Sequence, residues 1–269
     1  MAVCYRHSDR PTGITCNRCG AFICTECMVN APVGFQCPSC AAVSNPRASR
    51  ATRSVNSGWL ASLPPVTRWI LVACVGTYFL TRFTGSVNSW NASYEMWPNA
   101  VASGQWYRLI TATFLHGGIL HLLFNMYALY ILGPNLERLL GSKQFFALYF
   151  LSALGGSTLG LWFSDPSSAS IGASGAIFGL LTATIVIGRH MRADVTQLIV
   201  LLVINAALGF TGGIDWRAHL GGALTGALVA AIYVQDQKSS SHALQRIGTS
   251  AVFIGLVFLI FVRCQQLVG

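Results

Sequence analysis

The sequence predicts an all-α polytopic membrane protein with seven spans, preceded by a small zinc-binding domain. Three observations carry this. Only 9% of the 269 residues are charged and 53% are hydrophobic, with mean hydropathy +0.55, the composition of a chain that places most of its surface in lipid. Apolar stretches recur from Trp69 to the C-terminus, and seven of the nine cysteines lie before position 41. The net charge of +9 fits Lys and Arg sorted to one side of a bilayer by insertion; no basic run interleaved with aromatics is present, so nucleic acid is not an expected partner. The opening Met1-Ala2-Val3-Cys4 lacks a charged start followed by an apolar core. The first spanning helix, and not a cleavable signal peptide, is therefore expected to direct insertion.

Cys4, Cys16, Cys19, Cys24, Cys27, Cys37 and Cys40, together with His7, form four pairs of spacing C-x2-H, C-x2-C, C-x2-C and C-x2-C. Two intervening residues let both members of a pair reach one tetrahedral ion, and two pairs close a site. Eight ligands imply two structural Zn2+ ions, which supply most of the folding free energy of a segment too short to bury its own core. Closed sites leave no coordination position for chemistry, so no cofactor is expected in catalysis. A disulfide knot is the competing reading, but regular pairs that include a His fit it poorly. The pattern resembles the B-box zinc finger, whose pairs interleave; that resemblance implies Cys4, His7, Cys24 and Cys27 around one ion and Cys16, Cys19, Cys37 and Cys40 around the other. Spacing alone leaves sequential pairing open.

The chain is expected to divide into the zinc module (1–43), a flexible basic linker (44–66), a membrane core (67–236), and a linker with a seventh span (237–269). The first linker holds Arg47, Arg50 and Arg53 with no apolar period, as suits a segment near anionic lipid. Apolar length places spans at Trp69 to Phe83, Phe114 to Leu132, Phe145 to Phe163, Gly172 to Ile187, Thr196 to Phe210, Ala218 to Val234 and Thr249 to Val262. With the N-terminus inside, thirteen Lys and Arg fall on the cytoplasmic side, Lys238 among them, and four outside: Arg82, Arg108, Arg217 and Arg263. That asymmetry orients the chain N-terminus in and C-terminus out, and sets the zinc module in a reducing compartment.

This topology brings separated polar residues to one depth. Ser174, in Gly172-Ala173-Ser174-Gly175, and His219, in Ala218-His219-Leu220-Gly221-Gly222, both sit near the outer starts of inward-running spans. His121 and Asn125 share a face of the second span. A hydroxyl and an imidazole inside a bilayer are expensive, and point to catalysis there. No Asp or Glu falls within any expected span. Asp215, four residues before His219, is read as a helix-start residue. Gly222 and Gly226 form a small-xxx-small face suited to close approach of the fourth and sixth spans, matched by Gly175 and Gly179. Phe178, one turn after Ser174, is placed to stack on His219. Asn205 reads equally as interhelical glue or as substrate-facing, and Cys74 and Cys264 as apolar filler.

Taken in order, Trp106-Tyr107-Arg108, Phe114-Leu115-His116-Gly117-Gly118 with His121-x3-Asn125, Gly172-x-Ser174-Gly175 and His219-x2-Gly222-x3-Gly226 resemble the rhomboid family of intramembrane serine proteases. The resemblance runs from about Trp69 to Val234. It implies a six-helix core with an added seventh span, and a Ser174–His219 dyad without a carboxylate. His121, Asn125 and the Ser174 N–H would form an oxyanion hole. His116 is left out of catalysis, and Glu137-Arg138 resembles a structural charged pair of an inner loop. The expected substrates are single-span or other transmembrane proteins, unwound near the outer face of a prokaryotic plasma membrane. A cytoplasmic protein is the expected partner of the zinc module. A catalytically silent client-binding protein and a zinc-module scaffold are the alternatives.

Overall fold

The computed structural model describes residues 2–30, 34–44, 59–84, 87–209, 215–236 and 242–269. Arg47, Arg50 and Arg53, the expected span end at Phe210, and Lys238 lie outside them. The chain forms two compact units, Met1–Ser62 and Leu63–Gly269.

In the first unit, strands β1 (Val3–Cys4) and β2 (His7–Pro11) form one antiparallel ribbon and β3 (Val29–Asn30) and β4 (Phe35–Gln36) another, followed by helix α1 (Pro38–Ser44). Regular structure this short cannot hold itself together. Local ties help: the Thr12 hydroxyl donates to the Ile23 carbonyl at 2.8 Å, and Arg10 pairs with Glu26 at 2.6 Å.

The second unit is helical: α2 (Pro65–Phe83), α3 (Val87–Tyr94), α4 (Pro98–Ala102), α5 (Arg108–Thr111), α6 (Ile119–Leu140), α7 (Ser142–Phe163), α8 (Ser174–His190), α9 (Thr196–Gly209), α10 (Trp216–Asp236) and α11 (Ala243–Val268). Four of them, α6, α7, α10 and α11, are long and apolar enough to cross a membrane, while α8 and α9 are apolar but shorter. The protein is an integral multi-pass membrane protein. Helices α2 and α6 to α11 occupy the seven expected spans, with ends displaced for identifiable reasons. Pro65 is pre-set for a first helical turn, so α2 starts before Trp69. Gly172 has φ +125°, a conformation outside the helix, so α8 starts at Ser174.

The expectation that no acid lies within a span is corrected here. Helix α6 runs on past Leu132 to Leu140 and includes Glu137, only 2% exposed; α10 likewise ends on buried Asp236. Glu137 is tolerated because its carboxylate accepts four hydrogen bonds. They come from the Val66 N–H (3.0 Å), the Thr67 N–H (2.8 Å), the Thr67 hydroxyl (2.8 Å) and the Ser142 hydroxyl (2.7 Å). It thus caps the positive end of α2 and ties α2, α6 and α7 together. Glu137→Ala is expected to strand these donors at about 1–3 kcal/mol each, lowering the thermal unfolding midpoint in detergent; an unchanged midpoint would show the cap to be dispensable.

Helix α10 packs between α7 and α8. A Cβ at Gly222 would overlap the Gly175 carbonyl, and one at Gly226 the Gly179 carbonyl, while a Cβ at Gly156 would stand 2.7 Å from the Ala218 carbonyl. The crossing is backbone against backbone. Thr182 adds a hydrogen bond across it, donating to the Ala223 carbonyl at 2.8 Å. Gly222→Val is expected to cost about 3 kcal/mol, the upper end for overpacking, because the obstacle is a carbonyl that cannot rotate away. Equal stability and activity in that variant would show that the helices part at no cost.

Candidate active site

The Ser174 hydroxyl and His219 Nε2 lie 2.8 Å apart, joining the first residue of α8 to the first turn of α10. His219 is 9% exposed, and its ring stacks on Phe178 with centroids 4.1 Å apart and planes 13° from parallel. One helical turn separates Phe178 from Ser174, so a single helix presents both the hydroxyl and the surface against which the imidazole lies flat. The other ring nitrogen, Nδ1, is buried and has no hydrogen-bond partner among the described residues. Asp215 does not supply one: its carboxylate accepts the N–H groups of Arg217 (3.1 Å) and Ala218 (3.4 Å), capping α10. Stacking on Phe178, burial and the Ser174 hydroxyl hold the imidazole, with no carboxylate bonded to it among the described residues.

The loop before Ser174 is shaped by Gly172. Its positive φ suits glycine, and a Cβ there would lie 2.7 Å from Cε1 and Nε2 of His121. Its N–H donates to the Ala112 carbonyl at 2.9 Å, bracing the loop on the short 3-10 turn Ala112–Phe114. His121, at the start of α6, therefore sits directly against this loop. Asn125, one turn later and 6% exposed, uses one amide hydrogen on the His121 carbonyl at 2.8 Å and keeps a second. His116 is buried, its ring 5.1 Å from that of His121.

Farther out, Arg108 uses each of its three side-chain nitrogens once, donating to Gln105 Oε1 (2.7 Å) and to the carbonyls of Glu95 (2.9 Å) and Ala92 (2.8 Å). Tyr107 donates to the Ser93 carbonyl at 3.2 Å. Asn205 donates one amide hydrogen to the Leu201 carbonyl of its own helix at 2.8 Å. Two residues that hold the site were not found from sequence, Thr182 and Ala112. Thr182 repeats the four-residue interval of Ser174 and Phe178, a signal open to inspection; Ala112 acts through its carbonyl and leaves no side-chain signal.

The chain is similar to known proteins over this region. The rhomboid domain family matches residues 103–236. YdcA, a Bacillus subtilis rhomboid relative, is 32% identical over 194 residues, which cover 69% of this chain and 97% of that protein. The chain belongs to the rhomboid family. The rhomboid protease GluP of Bacillus subtilis is 40% identical over 137 residues, covering 49% of this chain and 27% of GluP. RHOMBOID-like protein 5 of Arabidopsis thaliana is 40% identical over 134 residues, covering 47% and 43%. The chain thus spans under half the length of several curated relatives it matches. The rhomboid match ends with α10 and contains Ser174, His219, His121 and Asn125.

In the N-terminal unit the ligand atoms of Cys4, His7, Cys24 and Cys27 form one group, and those of Cys16, Cys19, Cys37 and Cys40 another, each within 4.8 Å. The groups interleave in sequence. Burial opposes the Cys4 thiolate, yet backbone donors at Arg6 and Cys24 and the His7 side chain bring its thiol down to about 6. Cys16 falls to about 6 against the same burial through backbone donors at Cys37, Cys19 and Arg18. Cys27 is pushed the other way, to about 11, by burial and its neighbouring thiols, and Cys40 to about 12 by its contact with Cys37; the fit to zinc lies in the donor sets themselves, three sulfurs with one imidazole nitrogen in the first group and four sulfurs in the second.

Proposed function

We propose that the protein is an intramembrane serine endopeptidase that cleaves transmembrane segments of membrane proteins. The observation that carries this reading is the 2.8 Å contact between Ser174 and His219 on two helices locked by glycine. His219 takes the Ser174 proton as the oxygen attacks the scissile carbonyl, and later gives it to the leaving amine. Negative charge develops on the carbonyl oxygen. It is met by the Ser174 N–H at the positive end of α8 and by Asn125 and His121. Asn125→Ala is expected to slow cleavage by roughly two to three orders of magnitude; a near-normal rate with lower thermal stability would leave Asn125 only its bond to His121.

Substrate helices must unwind first, since a helical backbone hides its carbonyls in hydrogen bonds. Gly or Pro near the cut, with a small residue before it, is what such a site accepts. The excess of Lys and Arg in alternate loops supports the N-terminus in the cytoplasm, the C-terminus outside and cleavage near the outer face of the membrane. The zinc module, residues 1–43 followed by the linker 44–66, holds two structural ions and recruits a cytoplasmic protein or substrate tail. Reaction of the detergent-solubilised protein with a fluorophosphonate probe tests the reading. Labelling should fall on Ser174 and vanish in Ser174→Ala; absence of labelling in the native chain would sink it.

A further inference from the structure

We infer that the protein holds one alkyl chain of a bilayer lipid in a cavity of about 300 Å³ between α2, α3 and the segment 111–115. Trp69, Ala73 and Thr77 line it from one face of α2, spaced at four-residue intervals. Trp90 and Tyr94 of α3, stacked with centroids 5.4 Å apart, form a second wall. Phe114 closes the Trp69 end, its ring edge-on to that indole at 5.7 Å.

Chemistry and dimensions select the occupant. No charged side chain among the described residues lines the cavity, so they offer an anionic headgroup no partner. Trp90 Nε1 is committed to the Thr84 hydroxyl at 3.1 Å and the Thr111 hydroxyl to the Tyr94 carbonyl at 2.8 Å. Ordered water needs two to four polar partners, and the polar groups left on the lining, Trp69 Nε1 and the hydroxyls of Thr77 and Tyr94, are too few to hold water throughout a void of this size. From Trp69 to Thr77 the slot runs about 12 Å along α2, at 1.5 Å per residue, close to the roughly 15 Å of hydrocarbon in one leaflet. Spread over that length, 300 Å³ open to the centre of a water-sized sphere gives a cross-section of about 25 Å², or about 55 Å² out to the walls once the 1.4 Å sphere radius is added, still short of about 80 Å² for an α-helix with side chains. A substrate helix does not fit; a single chain does. Trp69, 51% exposed in a membrane protein, leaves the slot open sideways to lipid.

The site rests on membrane embedding alone and not on the protease reading. It does back onto the machinery: the turn that places Phe114 in the cavity also presents the Ala112 carbonyl to Gly172. The test is photolabelling of the full chain in bilayers containing phosphatidylcholine with a diazirine on one acyl chain. Adducts should concentrate on Trp69–Thr77 and Trp90–Tyr94. Ala73→Trp, which fills the slot, should reduce them roughly fivefold or more, with labelling at the lipid-facing Phe258 of α11, 63% exposed, unchanged as internal control. Ala73→Leu gives a milder filling that reads the same way should the larger residue fail to fold. Labelling of the slot no denser than at Phe258, or undiminished in the filled variants, would overturn the proposal. So would a slot that cross-links a single-span reporter in place of lipid.

Discussion

Ser174→Ala and His219→Ala are each expected to abolish cleavage of a single-span reporter, with losses of roughly five to six orders of magnitude if the pair behaves as other serine nucleophile–base units do. Each change removes one end of the 2.8 Å contact, and neither end works alone: an unassisted hydroxyl is a poor nucleophile, and an imidazole without it has no proton to take. The double variant should therefore be no worse than either single one. Neither residue carries the helix crossing, which is made by glycine backbone, so both variants should fold, Ser174→Ala with a nearly unchanged unfolding midpoint and His219→Ala with a lower one because it empties the space stacked on Phe178. Turnover retained in the Ser174→Ala protein would remove Ser174 from the reaction.

Metal analysis is expected to return two zinc ions per chain, and stripping them should unfold the N-terminal unit. Structural zinc in small fingers contributes about 10–16 kcal/mol of apparent binding free energy near neutral pH. The two-residue strands β1, β3 and β4 offer nothing comparable. The membrane unit has its own core and contains the whole candidate site, so fluorophosphonate labelling in detergent should survive chelation. One zinc per chain would contradict the interleaved sites. Loss of detergent cleavage on deleting Met1 to Ser44, with the membrane unit still folded, would show that the module takes part in turnover.

Much of this arrangement is readable in the sequence, because lipid enforces a strong correspondence between apolar length and helix. The correspondence fails where something other than apolarity sets an end. Glu137 hides inside α6 because its four hydrogen bonds come from residues some seventy positions earlier and from the next helix, a pairing no local pattern announces. Ser174 and His219 are legible as chemistry that packing does not require, and Phe178 by its four-residue interval. Spacing picks out eight candidate ligands but not their partition, since interleaved and sequential pairing use the same pairs; only the folded strands separate them. The short helices between Val87 and Thr111 lack a usable period, and with them the slot beside α2 is invisible until the loop is placed.

The glycine crossing of α8 and α10 behaves as a lock with discrete positions. Gly175 faces Gly222 and Gly179 faces Gly226, both at four-residue intervals, so sliding one helix by about 6 Å would set Gly179 against Gly222. That step would also carry His219 a full turn away from Ser174. Between the two settings carbonyls meet alpha carbons, and the Thr182–Ala223 hydrogen bond and the Phe178–His219 stack are broken, so partial offsets find no resting place. Control over such a dyad cannot be graded through its alignment, and must act on whether a substrate reaches it.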